Sequence, residues 1–120
     1  MAAVKLKLPV IEQGATYFTS FRYLQADKIT PMELTGVTAK MQIRATIADE
    51  LPLIELSTEN QRIVLDIVTG IISIKIHSLD TTTLPAVIDA VYDLELYYPD
   101  ESVIRLLEGK VSVSPEVTRG

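Results

Sequence analysis

The chain has 120 residues, a formal net charge of −5, no cysteine and a single histidine. That length suits one domain, able to bury roughly two-thirds of its unfolded surface, and the lack of cysteine excludes thiolate metal sites, thiol nucleophiles and disulfides. An acidic chain with 11 lysines and arginines is poorly suited to gripping nucleic-acid phosphates or an anionic membrane, and no apolar run approaches the ~18 to 20 residues of a spanning helix.

The first segment, Lys5-Leu6-Lys7-Leu8, alternates charged and apolar residues. It lacks the continuous apolar stretch of a signal peptide, so the chain is expected to be made in the cytoplasm and to stay there until it is assembled into something. Tyr17, Thr19, Phe21 and Tyr23 then share one face of a strand, opposite Phe18, Ser20, Arg22 and Leu24. Turn residues at Ala26-Asp27-Lys28 and Thr35-Gly36 precede a third alternating run, with Ala39, Met41, Ile43 and Ala45 on one side. Asp49-Glu50-Leu51-Pro52 separates that run from Leu53–Ser57, and Glu59-Asn60 follows. Thr69-Gly70 lies between runs 62–68 and 71–77, which predicts a tight hairpin with glycine at positive φ. The only helical signal is a short turn from Asp80, as N-cap, to Leu84 before Pro85. Tyr92, Leu94 and Leu96 alternate with polar residues, Tyr98-Pro99-Asp100-Glu101 reverses the chain, and a last run covers 103–113.

Period-two alternation with turns this frequent predicts an all-β protein: an antiparallel β-sandwich of about eight short strands. It is expected to be a single domain over 1–120, with flexible or partner-bound arms at about 1–9 and 114–120. Immunoglobulin-like sandwiches often place a tyrosine near the start of a late strand, two residues before a core position, with its hydroxyl bonded to the chain just upstream. Tyr92, two residues before Leu94, fits that structural tyrosine corner. It fits equally an ordinary strand residue with its tip in water.

Catalytic patterns fail one by one. His77 is the sole histidine and sits on the strand face opposite Ile72, Ile74 and Ile76, with no nucleophile signature near it. Carboxylates are plentiful but scattered, and neither Asp49-Glu50 nor Asp100-Glu101 has calcium-loop spacing. Asp93 and Glu95 share an outward face, where Arg44, Arg105 or Lys110 are natural partners. No glycine pattern for cradling phosphate occurs. The expectation is therefore a protein that is not an enzyme, with no catalytic residues, no cofactor and no metal, binding neither nucleic acid nor membrane.

The apolar content is the informative surplus. Hydrophobic residues make up 48% of the chain, and the runs 71–76, 94–98 and 103–107 are apolar on both faces, although a two-layer sandwich buries only one face of each strand. A second buried surface accounts for the surplus, most simply a subunit interface; the competing account is that edge loops or the amino-terminal strand cover it. Tyr97, Tyr98, Ile104, Leu106, Val4 and Leu6 are the candidate interface residues, and strand addition by the terminal arms is one means of contact.

Several segments in order carry a resemblance: Gln13-Gly14-Ala15-Thr16-Tyr17-Phe18, then 32–44 with Met41-Gln42-Ile43-Arg44, Leu84-Pro85-Ala86, Tyr92-Asp93-Leu94-Glu95-Leu96, and 105–119 with Leu106-Leu107-Glu108-Gly109. This order resembles a group of small proteins of tailed phages and prophages, and is similar to the immunoglobulin-like amino-terminal domain of the baseplate upper protein. The bend between Pro85 and Asp89 departs from that pattern in lacking a glycine. The resemblance implies an immunoglobulin-like sandwich and a virion structural protein, an adaptor or attachment subunit of the tail, baseplate or neck. It implies other virion proteins as partners, homo-oligomeric copies in the particle, and no catalytic residues. A capsid decoration protein and a carbohydrate- or receptor-binding module are the alternatives.

Overall fold

Alternation along a strand buries one face, and the runs at 39–45, 71–77 and 92–97 do so: Met41, Ile43, Ile72, Ile74, Ile76, Leu94 and Leu96 are all fully buried. Each such side chain contributes about 1.5–3 kcal/mol relative to exposure. The computed structural model describes residues 3–118. Its elements in chain order are β1 (Val4–Lys5), β2 (Ile11–Glu12), β3 (Tyr17–Arg22), β4 (Thr38–Arg44), β5 (Ile54–Ser57), β6 (Ile63–Leu65), β7 (Ile71–Ile76), α1 (Ser78–Thr81), β8 (Val87–Tyr97) and β9 (Val103–Ser114).

The strands form two sheets that enclose one core. One has the order β1-β9-β8-β4-β5, with β2 also on β9; the other is β3-β7-β6. The protein is thus an all-β sandwich. In immunoglobulin-like strand order, β3, β7 and β6 take the places of B, E and D, and β4, β8 and β9 those of C, F and G. Two expectations need correcting. β1 and β2 run parallel to β9, so the larger sheet is mixed rather than purely antiparallel. β8 and β9, at 11 and 12 residues, are long rather than short.

The amino-terminal segment is part of the domain and not a free arm. Beyond β1, the Leu6 N–H donates to the Glu108 carbonyl (2.9 Å) and the Leu8 N–H to the Lys110 carbonyl (3.0 Å), and Leu8 is buried. At the other end Ser114 still belongs to β9, and the Glu116 N–H donates to Gln13 Oε1 (3.0 Å). Met1, Ala2, Arg119 and Gly120, the tips of the expected arms, lie outside the described residues.

Two bulges in the β8–β9 ladder explain the ambiguous apolar runs. Leu94 faces Leu107 but Glu95 faces Arg105, so Leu106 is an extra residue on β9. The side-chain period is two, so one extra residue switches the inward phase. Leu106 and the adjacent Leu107 are consequently both buried, and part of the surplus is internal. The second bulge lies between Val87 and Ala90, where Asp89 adopts φ +56°. Aspartate is among the few non-glycine residues that visit that left-handed conformation, and the Asp89 N–H donates across the ladder to Ser112 Oγ (2.9 Å). It serves the bend without the missing glycine.

Two turns differ in detail from expectation. The helix begins ahead of Asp80 because His77 is its N-cap, with Nδ1 accepting from the Leu79 N–H at 3.1 Å. The β6–β7 connection spans 66–70 and is longer than a tight hairpin. Gly70 holds the expected positive φ of +74°, and Asp66 Oδ1 accepts from the Val68 and Thr69 amides (2.9 and 3.2 Å).

Candidate partner interface

Each sheet ends in a strand with one unpaired side, and both open sides lie along the same flank of the sandwich. β1 is the edge of the larger sheet and β3 the edge of the smaller. Between them runs a groove of about 520 Å³, floored by Val4, Leu6, Phe21, Tyr23, Leu106 and Leu107. Val4 is 58% exposed and Leu6 40%, whereas Leu106 is 7% exposed. Leu106 is therefore a core side chain with one edge in the groove, and its expected role as a presented contact is corrected by the bulge that turns it inward.

The six candidate interface residues divide. Val4, Leu6 and Leu106 meet in the groove. Tyr97 lies on the outer face of β8, where its hydroxyl donates to Glu95 Oε1 (2.9 Å). Tyr98 packs against the core; burial, followed by the nearby Tyr23, raises its phenol pKa. Ile104 is half-buried in the β8–β9 ladder opposite Leu96. The sequence reasoning missed Phe21 and Tyr23 as groove residues. Their alternation was visible and placed them inward correctly, but nothing local revealed that β3 is an edge strand.

The groove's charged residues are all basic. Arg22, Lys28 and Arg105 line it, with no carboxylate among the described lining residues, in a chain of net charge −5. Arg105 is already held by Asp93 (3.5 Å) and Glu108 (3.5 Å). Neither Arg22 nor Lys28 makes an ion pair among the described residues.

Two tyrosines fasten the wall of the groove. Tyr17, from the smaller sheet, donates its hydroxyl to the Pro9 carbonyl (2.9 Å). Tyr92, from the larger, donates to the Leu6 carbonyl (2.5 Å). The Tyr92 hydroxyl thus ties the segment after β1, far away in sequence, instead of bonding the chain just upstream as a tyrosine corner would. Burial, with a smaller contribution from Tyr92, pushes the Tyr17 phenol up to about 12, and burial alone pushes Tyr92 to about 12. Gly109 makes the second tie possible. A Cβ there would sit 2.2 Å from the Leu6 carbonyl oxygen, so only glycine lets β9 and the amino-terminal segment approach this closely.

A larger depression of about 740 Å³ lies over the outer face of the larger sheet, among Lys5, Lys7, Arg44, Asp93, Glu108 and Lys110. Its charges largely satisfy one another or the backbone: Asp93 pairs with Arg105, and Arg44 Nη1 donates to the Asp49 and Glu50 carbonyls (2.7 and 2.9 Å). Burial and the neighbouring Glu95 raise the Asp93 carboxyl, against a lowering by Arg105. This is a solvated ionic face, with a more polar lining than the groove. Elsewhere, the Asp100 carboxylate is occupied within its own turn by the Ser102 N–H (2.9 Å) and hydroxyl (2.6 Å). Among the described residues no three His, Asp or Glu side chains gather as a metal-binding set. No protein-family model matches the chain, and no curated protein matches it.

Proposed function

We propose that this chain is a structural adaptor of a phage particle, an attachment subunit of the tail, baseplate or neck that joins other virion proteins and is present there in several copies. The observation that carries the joining role is the open flank: an apolar groove between two edge strands, walled by a segment that two buried tyrosines hold in place. Proteins do not ordinarily leave strand edges beside apolar surface unprotected, because such edges invite pairing with other chains. An assembly subunit uses that tendency. The resemblance of its segment order to small tailed-phage proteins is what suggests the particle as its setting.

The role requires no catalytic group, cofactor, nucleic acid or membrane. Quantitative mass spectrometry of purified particles tests it. A fixed copy number relative to the major tail or capsid protein supports the adaptor. Its absence from intact, infective particles rejects that role.

A further inference from the structure

Among the described residues the smaller sheet has three strands. An immunoglobulin-like sandwich carries a four-stranded sheet, A-B-E-D, but here only B, E and D are present as β3, β7 and β6. The segment that would supply A runs along β9 instead, through β1 and β2. The place beside β3 is thus unfilled by any described residue, and the groove lies along its Phe21–Arg22 end.

The backbone of β3 is set out to receive a strand. In an antiparallel ladder each residue points both its N–H and its C=O to one side, alternately. The Tyr23 N–H donates to the Gly70 carbonyl on the β7 side (2.8 Å), and the register continues through Phe21–Ile72, Thr19–Ile74 and Tyr17–Ile76. Phe18, Ser20 and Arg22 therefore direct their amides and carbonyls outward, and no other described backbone group bonds them. An added strand would place every second side chain inward, over Leu6, Leu106 and Leu107.

Charge selects among the possible occupants. A second copy pairing edge to edge through β3 offers Arg22 and Lys28 no carboxylate, since Tyr17–Arg22 carries none. A carboxylate-bearing strand meets those same cations with opposite sign. We infer that the β3 edge and its groove take an extended segment of a partner protein, alternating small apolar residues with acidic ones, which completes the sheet by strand addition. This rests on the adaptor reading and specifies the chemistry of what the adaptor holds.

The test titrates the full chain with two nine-residue acetylated peptides, one alternating valine with aspartate and the other valine with lysine, while amide exchange is followed by NMR. The aspartate peptide is expected to bind and to slow exchange of the Phe18, Ser20 and Arg22 amides about tenfold or more at saturation. The lysine peptide is expected to bind at least roughly threefold more weakly, with the gap closing at high salt. Arg22→Glu, at an exposed position, should reverse the preference. Ser20→Pro removes an outward N–H that the fold does not use and should weaken binding at least about tenfold. Should Ser20→Pro fail to fold, the Arg22→Glu reversal decides alone.

Three results overturn the inference: no binding of either peptide, binding that leaves those three amides unprotected, or protection that rises with protein concentration in the absence of peptide. The last would put a second copy in the groove. A protein that is stoichiometric in particles but indifferent to the peptides loses this inference and keeps the adaptor role. One that binds the aspartate peptide but is absent from particles does the reverse.

Discussion

Replacing Gly109 by alanine separates the close-approach account from the ordinary behaviour of a strand glycine. In a strand interior, glycine to alanine normally stabilises by about 0.5–1 kcal/mol, because it restricts the unfolded chain. Here the new methyl would lie 2.2 Å from the Leu6 carbonyl oxygen and 2.9 Å from its carbonyl carbon. Both are backbone atoms that cannot swing aside. The amino-terminal segment must move off β9, weakening three bonds: Leu6 to Glu108, Leu8 to Lys110, and Tyr92 to Leu6. At about 1 kcal/mol each, the loss is ~3 kcal/mol, and the net destabilisation after the glycine term is about 2 kcal/mol. For a domain of this size that lowers Tm by roughly 8 °C, measurable by calorimetry or urea unfolding. Amide exchange at Leu6 and Leu8 should accelerate while the β4–β8 ladder stays protected. Adding Tyr92→Phe should cost less than it does alone, since both changes act on one contact. A Gly109→Ala protein that melts at or above the parent temperature refutes the reasoning.

Three further outcomes follow from the same geometry. The Tyr17 and Tyr92 phenols lie at about 12 in the folded protein against about 10 when unfolded, so their neutral forms stabilise fully below pH about 10. That contribution is lost as pH rises toward about 12; Tm should fall across this window, and less steeply in a Tyr17→Phe/Tyr92→Phe double variant. Thr81 is fully buried, its single hydroxyl proton shared between the Ala15 and Ser78 carbonyls (2.9 and 3.0 Å) while its oxygen accepts from the Gly14 N–H (3.1 Å). Thr81→Val strands these groups and should cost about 1–3 kcal/mol in urea unfolding. Leu106→Ala should cost about 2–4 kcal/mol, as expected of a core leucine, while Val103→Ala, three residues earlier and 51% exposed, should stay within about 0.5 kcal/mol.

The amino-acid sequence by itself determined which residues face inward and that the protein is built of strands. Met41 and Ile43, Ile72, Ile74 and Ile76, and Leu94 and Leu96 all occupy the buried face that their spacing assigns, because side-chain direction in a strand follows from the backbone pleat, a property local to the chain. Glycine at positive φ at position 70 was legible for the same reason. What each strand edge pairs with is not local. Nothing in Lys5-Leu6-Lys7-Leu8 states that the segment runs parallel to β9, or that the Tyr92 hydroxyl would find Leu6 across the glycine at 109. The phase of β9 was likewise hidden, since Leu106 is an extra residue only relative to β8. Val4, Leu6 and Leu106 stood as candidate contacts, but their meeting with Phe21 and Tyr23 under an unpaired edge depends on how two sheets stack. That placement is set by core packing summed over the whole chain, and it was decided only in the tertiary structure.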